Sequence, residues 1–261
     1  MLTVASFRLR SFVQSALCHI RETLDFATVH PTMLLRERAA ASSADYVIAH
    51  MPNALSFYTA KEVLRHCLAR LPDEGQILEF GVFKGGTIDY IARTRPDREI
   101  HGFDTFEGLP VGWSGMGYDT GAFSAGGRLP RVRNNVRLHK GLFDITLPVW
   151  MAGNDRPVAL IHVDCDLYSS AKTVLALLRD RIKPGLIIVF DEYFGYPGWE
   201  RGEHRAFHDF IRETGVSFDY LCHGRQQVAV RIVQAATEQG GALEPPAHTV
   251  DRDAGRGNAV I

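Results

Sequence analysis

The chain has 261 residues, 46% of them hydrophobic and 23% charged, with a formal net charge of -1 at pH 7. That balance belongs to an ordinary globular protein with one large domain and small additions. It gives no electrostatic ground for a nucleic-acid partner, and no apolar run is long enough to make a membrane span. The four cysteines, Cys18, Cys67, Cys165 and Cys222, are far apart and form no C-x-x-C pair. A zinc knuckle or disulfide framework is therefore disfavoured, and a reducing, cytoplasmic setting is the default.

Residues 1–70 read as an N-terminal helical segment with no strand pattern before residue 76. The opening, "MLTVASFRLRSFVQSALCHIR", is rich in Arg and free of acids, a faint likeness to a targeting peptide. Phe12, Ala16, Ile20 and Leu24 recur at helical spacing, which predicts an amphipathic helix instead. "SADYVIAH" and "YTAKEVLRHCLARLP" repeat apolar residues every three or four positions, and Pro72 stops the second. From "QILEF" (76–80) the texture changes. Short apolar strands are expected at 76–80, 98–104, 135–141, 157–164 and 185–192, with helices between them. An antiparallel pair, "SFDYLCHG" and "QQVAVRIV", closes the series as the edge of the sheet. This alternation predicts a doubly wound α/β domain over residues 71–234. A Gly-rich stretch at about 105–134 is long enough to be a lid. Residues 235–261 lack periodicity and read as a disordered tail.

The chemistry begins after the first strand. "EFGVFKGGT" places Glu79, Phe80, Gly81, Gly85 and Gly86 between strand and helix, where absent side chains let a ligand approach the backbone. The pattern is neither G-x-G-x-x-G nor a P-loop. Asp104 ends the next strand, followed by Thr105, about twenty residues on, where an acid can accept hydrogen bonds from ribose hydroxyls. These features fit an adenosine-type ligand without a large phosphate requirement, and S-adenosylmethionine is such a ligand.

"LEFGVFKGGTIDYIA", "HGFDTFEGLP", "GAFSAGGRLPRVRNNVRLHKGLFDITLP", "HVDCDLYSSAKTVL" and "FDEYFGYPGWERGEHRAF" occur in one order over roughly residues 50–232. Together they resemble the macrocin O-methyltransferase family. These are class I S-adenosylmethionine-dependent enzymes that often methylate sugar hydroxyls of natural products. The resemblance implies a Rossmann-like, seven-stranded sheet and a divalent metal, usually Mg²⁺. It implies cofactor contacts at Glu79, Phe80, Gly81, Gly85, Asp104 and Thr105. Others are implied at Gly141 and Phe143, with Asp144 beside them, and at Asp164. It implies metal ligands at Asp164, Asp191 and Glu192, and a general base at Asp166. Many members carry two aspartates where this chain has Asp191-Glu192. The longer glutamate moves the ligand oxygens.

An alcohol holds its proton tightly, so a cation that stabilises the developing alkoxide and a base that takes the proton are both useful. Mg²⁺ prefers oxygen ligands and leaves sites for water or substrate. Asp166 has a competing role as the cap of the helix in "LYSSAKTVL". His204 and His208, spaced i, i+4, could bind zinc, but no third ligand is evident, and a surface or capping role is expected. His162 alternates with apolar residues and reads as a satisfied core or crevice histidine, with a base role secondary. Cys165 reads as packing. Tyr193, Tyr196 and Trp199 could stack on a sugar or anchor their loop to the sheet. Arg128 and Arg131 could touch the acceptor or stay solvated. The expected partner is a small hydroxyl-bearing molecule, glycosylated by resemblance, with self-association left open. The competing functions are a catechol-type phenol O-methyltransferase and a non-catalytic cofactor-binding protein of the same fold.

Overall fold

The computed structural model describes residues 12–23, 30–113 and 116–236. Three helices come first: α1 (residues 12–23), α2 (Pro31–His50) and α3 (Ala60–Leu68). Each later start has a local cause. Pro31 opens α2 while the His30 side chain accepts from the Thr32 amide. In α3, Thr59 and Glu62 form a reciprocal capping box. Phe12 and Ile20 of the anticipated apolar stripe lie exposed on α1. Leu24, the acid-free first residues 1–11 and residues 237–261 of the anticipated tail lie outside the described residues.

Strands and helices then alternate: β2 (Gln76–Phe80), α4 (Gly86–Thr94), β3 (Ile100–Asp104), β4 (Val136–Lys140), α5 (Phe143–Ala152), β5 (Val158–Val163), α6 (Tyr168–Leu177), β6 (Ile187–Phe190), α7 (Glu203–Thr214), β7 (Ser217–His223) and β8 (Val228–Gln234). The three central strands β2, β5 and β6 are buried from end to end. Parallel strands covered on both faces need such unbroken apolar runs. Among the described residues no helix is long and apolar enough to cross a membrane.

With β1 (Leu55–Ser56) included, the sheet has eight strands, not seven, in the order β1-β7-β8-β6-β5-β2-β3-β4. The extra strand is β1 (Leu55–Ser56), which pairs parallel with Cys222 and His223 of β7. Two residues carry no alternation, so nothing in the sequence marks it. Its presence also corrects the expectation that the β7–β8 hairpin forms the edge. That hairpin is antiparallel as anticipated, with β8 also antiparallel to β6.

The order of strand addition reverses between the parallel neighbours β2 and β5. One run proceeds β2, β3, β4 and the other β5, β6. At this switch point the loops leaving the two strands diverge and open a crevice at their carboxyl ends. Side chains alternate across the sheet: Leu78, Phe80, Ile161 and Phe190 join one apolar cluster, while Ile77, Leu160 and Val189 join the other.

Candidate active site

A cavity of about 570 Å³ occupies that crevice. Gly81, the residue after β2, has φ +93° and sits against β5. A Cβ there would come within 1.6 Å of the Asp164 carbonyl oxygen, so only glycine lets the β2 and β5 ends approach. Asp104, at the end of β3, holds the turn in shape. Its Oδ2 accepts from the Val82 and Phe83 amides at 2.8 and 2.7 Å, and its Oδ1 accepts from Phe106 at 2.7 Å. An ionised carboxylate has about four lone-pair sites, so capacity remains for one further donor. The 105–134 stretch forms much of the wall, through Thr105, Leu109, Trp113, Met116, Tyr118 and Phe123. It is tied to itself by backbone bonds such as Leu109 to Ala122 and Trp113 to Tyr118. Phe143 completes the wall and meets Phe80 edge-on at 5.3 Å.

Four described non-glycine residues have positive φ: Phe83, Phe106, Phe123 and Asp166. Three of them, Phe83, Phe123 and Asp166, line this cavity. Such conformations cost about 1–3 kcal/mol each and gather where a site needs them. Asp166 has φ +62°, and the Leu167 amide donates to the Cys165 carbonyl across it at 2.6 Å. This is the strained, positive-φ form of the γ-turn. The N-cap of α6 is Leu167, and no side chain makes a capping hydrogen bond to that helix. The capping role for Asp166 is therefore ruled out.

A second cavity of about 290 Å³ adjoins the first and shares Asp166, Trp113 and Ser169 with it. Tyr168, Tyr196, Gly198, Arg201 and Gly202 line the rest. Asp166 thus stands on the wall between the two chambers. Burial, reinforced by Asp191 and Asp104, pushes its pKa up to about 7.

Asp164, Asp191 and Glu192 converge because β5 and β6 are paired neighbours. One carboxylate oxygen from each lies within 4.8 Å of the others. Asp164 and Glu192 are raised well above the usual carboxylate range, chiefly by burial and then by the facing acids. Burial also opposes charge on Asp191, but its pairing with His162 outweighs burial and lowers its pKa. His162 lies between Glu79 and Asp191. Burial works against its charge, yet these two acids raise it well above the ordinary imidazole value. Its Nδ1 is 3.1 Å from Glu79 Oε1. The expectation of a satisfied histidine fails at Nε2, which is buried without a hydrogen-bond partner.

Glu203, at the start of α7, has no pattern in the sequence to announce it. It is fully buried and accepts from the Cys165 amide through Oε1 and the Glu192 amide through Oε2, both at 3.2 Å. One carboxylate therefore clamps the turn carrying Asp164 and Asp166 to the turn carrying Asp191 and Glu192. Burial, then Asp166, raises its pKa to about 8.

Other candidates sit elsewhere than anticipated. Glu79, Phe80, Gly85 and Gly141 lie outside the cavity lining and support it from behind. Glu79 is occupied by His162, Phe80 stacks on Phe103 at 4.9 Å, Gly85 starts α4 in the left-handed region, and Gly141 bonds the Asp104 carbonyl. Arg128 and Arg131 are exposed and line neither cavity. Of the three loop aromatics, only Tyr196 reaches a cavity, while Tyr193 and Trp199 turn inward. Trp199 Nε1 donates to Ser42 Oγ of α2, and Ser43 Oγ accepts from the Gly195 amide. Tyr193 OH lies 3.0 Å from His208 Nε2 and 2.8 Å from Tyr220 OH, and Tyr46 OH meets the same two groups at 2.9 and 2.7 Å. His204 packs edge-on against Tyr46, Tyr193 and Trp199. The two histidines are thus parts of a half-buried aromatic cage, not surface or capping residues.

Residues 78–193 match a family described as a methyltransferase domain. A Streptomyces olivaceus protein, "8-demethyl-8-(2,3-dimethoxy-alpha-L-rhamnosyl)-tetracenomycin-C 4'-O-methyltransferase", is 30% identical over 145 residues, 46% of this chain and 53% of that protein. The chain thus spans about half the length of the curated relative it matches. Among solved structures, the calicheamicin methyltransferase CalS11 is 26% identical with a TM-score of 0.54, over 66% of this chain and 77% of CalS11. The O-methyltransferase NovP, 21% identical with a TM-score of 0.51, covers 67% of this chain and 79% of its own and shares the fold. The fold is that of the class I, Rossmann-like methyltransferases, and the relatives are of the kind the sequence motifs resemble.

Proposed function

We propose that the chain is an S-adenosylmethionine-dependent O-methyltransferase acting on a hydroxyl of a small-molecule acceptor, a sugar of a glycosylated natural product. The observation that carries this reading is the position of Asp166 between two adjoining cavities, beside converging carboxylates at the switch point. The larger chamber, with Gly81, Asp104, Thr105 and Phe143, takes the cofactor. The smaller takes the acceptor, with Tyr196 and Trp113 offering aromatic faces to a sugar ring. The rhamnosyl group in the relative's name supports a sugar.

Asp166 accepts the hydroxyl proton, since a base poised near neutral pH both binds and releases a proton readily. Walls on both sides of it would position an acceptor oxygen against the cofactor's methyl group, and placement of that kind supplies most of what a methyl transfer needs. Asp164, Asp191 and Glu192 have the donor chemistry for Mg²⁺, and the unpartnered, buried Glu192 Oε2 fits a cation there. Such an ion would stabilise the developing alkoxide. Glu203 keeps both acid turns in register.

The test is calorimetric and chemical. S-adenosylhomocysteine at saturating concentration should raise the melting temperature. A mass-spectrometric screen of glycosides should find an acceptor that gains one methyl. No thermal shift would overturn the cofactor assignment. Methylation of phenols but not glycosides would overturn the acceptor assignment.

A further inference from the structure

The turn between β7 and β8, residues 224–227, is seated on the segment that leaves β6. The Gln226 carbonyl accepts from the Tyr193 and Phe194 amides at 2.9 and 3.3 Å. Gly195, at φ +79°, allows the approach: a Cβ there would come within 2.5 Å of the Arg225 carbonyl oxygen. The Gln226 side chain lines the larger cavity together with Asp164 and Glu192. Antiparallel pairing sets Val228 opposite Phe190, so Gln227 and Asp191 follow one another across the next rung. Gln227 is buried, at 7% exposure. Its Nε2 donates to the Asp191 carbonyl at 3.2 Å and to Asp191 Oδ2 at 3.3 Å, while its Oε1 accepts from the Gln226 amide at 3.4 Å. Chemistry fixes which way this side-chain amide faces, because a carbonyl and a carboxylate only accept and a backbone N–H only donates.

We propose that Gln227 is a positioning residue for the acid edge: it holds Asp191 Oδ2 and so keeps the carboxylate turned toward Asp164 and Glu192 as a ligand of their shared divalent cation. The assignment rests on the metal reading above and deepens it. The backbone ladder already joins β6 to β8 from Ile187 to Phe190, so the bond to Oδ2 is not needed to hold the strands together. What it restrains is the rotation of one carboxylate. A carboxylate held in place before an ion arrives loses less freedom on binding than one that must be ordered at that moment. Hydrogen-bond partners of metal-binding carboxylates commonly change metal affinity by roughly 10–100-fold.

Titration of the full chain with Mn²⁺, with free Mn²⁺ followed by electron paramagnetic resonance, reads this. Gln227→Leu should bind Mn²⁺ roughly 10–100-fold more weakly than the wild type. S-adenosylhomocysteine should raise the melting temperature of both proteins equally, because Gln227 lines neither cavity. If Gln227→Leu fails to fold, nuclear magnetic resonance of the wild type labelled with heavy nitrogen at glutamine carries the test: the Gln227 side-chain amide signal should shift as Mg²⁺ is added. Unchanged Mn²⁺ affinity in folded Gln227→Leu, or an amide signal that does not respond to Mg²⁺, overturns the proposal. Loss of the S-adenosylhomocysteine shift along with Mn²⁺ affinity also overturns it, since Gln227 would then only support the fold. No Mn²⁺ binding by the wild type overturns the metal reading together with this inference.

Discussion

Two polar clusters, one buried and one half-buried, meet at the junctions Glu192–Tyr193 and Glu203–His204, and they solve the same problem in opposite ways. The acid edge gathers Asp164, Asp166, Asp191, Glu192 and Glu203 around a single histidine, His162, and leaves Glu79 Oε2, Glu192 Oε2 and His162 Nε2 unpartnered. The aromatic cage gathers Tyr46, Tyr193, Tyr220 and His208 into a ring of neutral hydrogen bonds. Buried polar groups are cheap when mutually satisfied and costly when they share one sign of charge. His204, packed against the ring, is the exception, with both ring nitrogens unpartnered. The hydrogen-bonded ring therefore reads as scaffold, and the edge as a place that waits for a cation, a proton or a substrate oxygen.

The contrast breaks most sharply at Asp166. Asp166→Asn should lower kcat by roughly 10²–10⁴-fold, the usual worth of a general base, while S-adenosylhomocysteine still raises the melting temperature. Near-normal turnover with the acceptor found in the glycoside screen would return the edge to a structural role. Chelation comes next. EDTA should abolish turnover, with Mg²⁺ or Mn²⁺ restoring it, and unchanged turnover in chelator would remove the cation. In the cage the sign of the effect changes. Tyr193→Phe leaves Tyr220 OH and His208 Nε2 each short of a partner and should cost about 1–3 kcal/mol in urea unfolding, with kcat largely kept. A matching loss of kcat would mean that the cage shapes the site.

The smallest effect is the most specific. Burial, then His208 and His50, lowers the His204 pKa to about 3, and Tyr46, Tyr193 and Trp199 pack around its ring. Burial likewise lowers His101 to about 4, with Glu99 opposing and His139, Arg137 and Arg156 assisting. Both groups bind a proton in the unfolded chain before they do in the folded one. Their stabilising contribution is complete above about pH 6.5 and drains away as pH falls toward 4 and 3. His204→Phe should flatten part of that slope in melting temperature against pH. An unchanged slope would show that His204 does not report on the cage.

The strand pattern was legible because parallel strands buried on both faces must be unbroken apolar runs, and an acid at the end of such a run stands out. Asp164, Asp166, Asp191 and Glu192 were readable for that reason, and the sheet pairing brings them together. β1 was not readable, because two residues hold no period. The loop aromatics show a further limit. Tyr193, Tyr196 and Trp199 fall within seven residues, yet only Tyr196 faces a cavity, since irregular backbone gives no rule for which way a side chain turns. Glu203 escaped because its partners are backbone amides of turns that meet it only in three dimensions. His162 was visible, but its free nitrogen was not.

Glu203 and His204 are consecutive residues whose side chains serve different clusters, one clamping the acid edge and the other plugging the cage. The segment between Tyr193 and Glu203 is thus moored at both ends and pinned midway by Ser42 and Ser43. For an engineer this is a cassette. Residues such as Tyr196 and Arg201 could be exchanged to change what the smaller chamber admits, with the moorings left untouched. A graft that shifted the junction at Glu203 by one position would disturb the acid turns and the cage together.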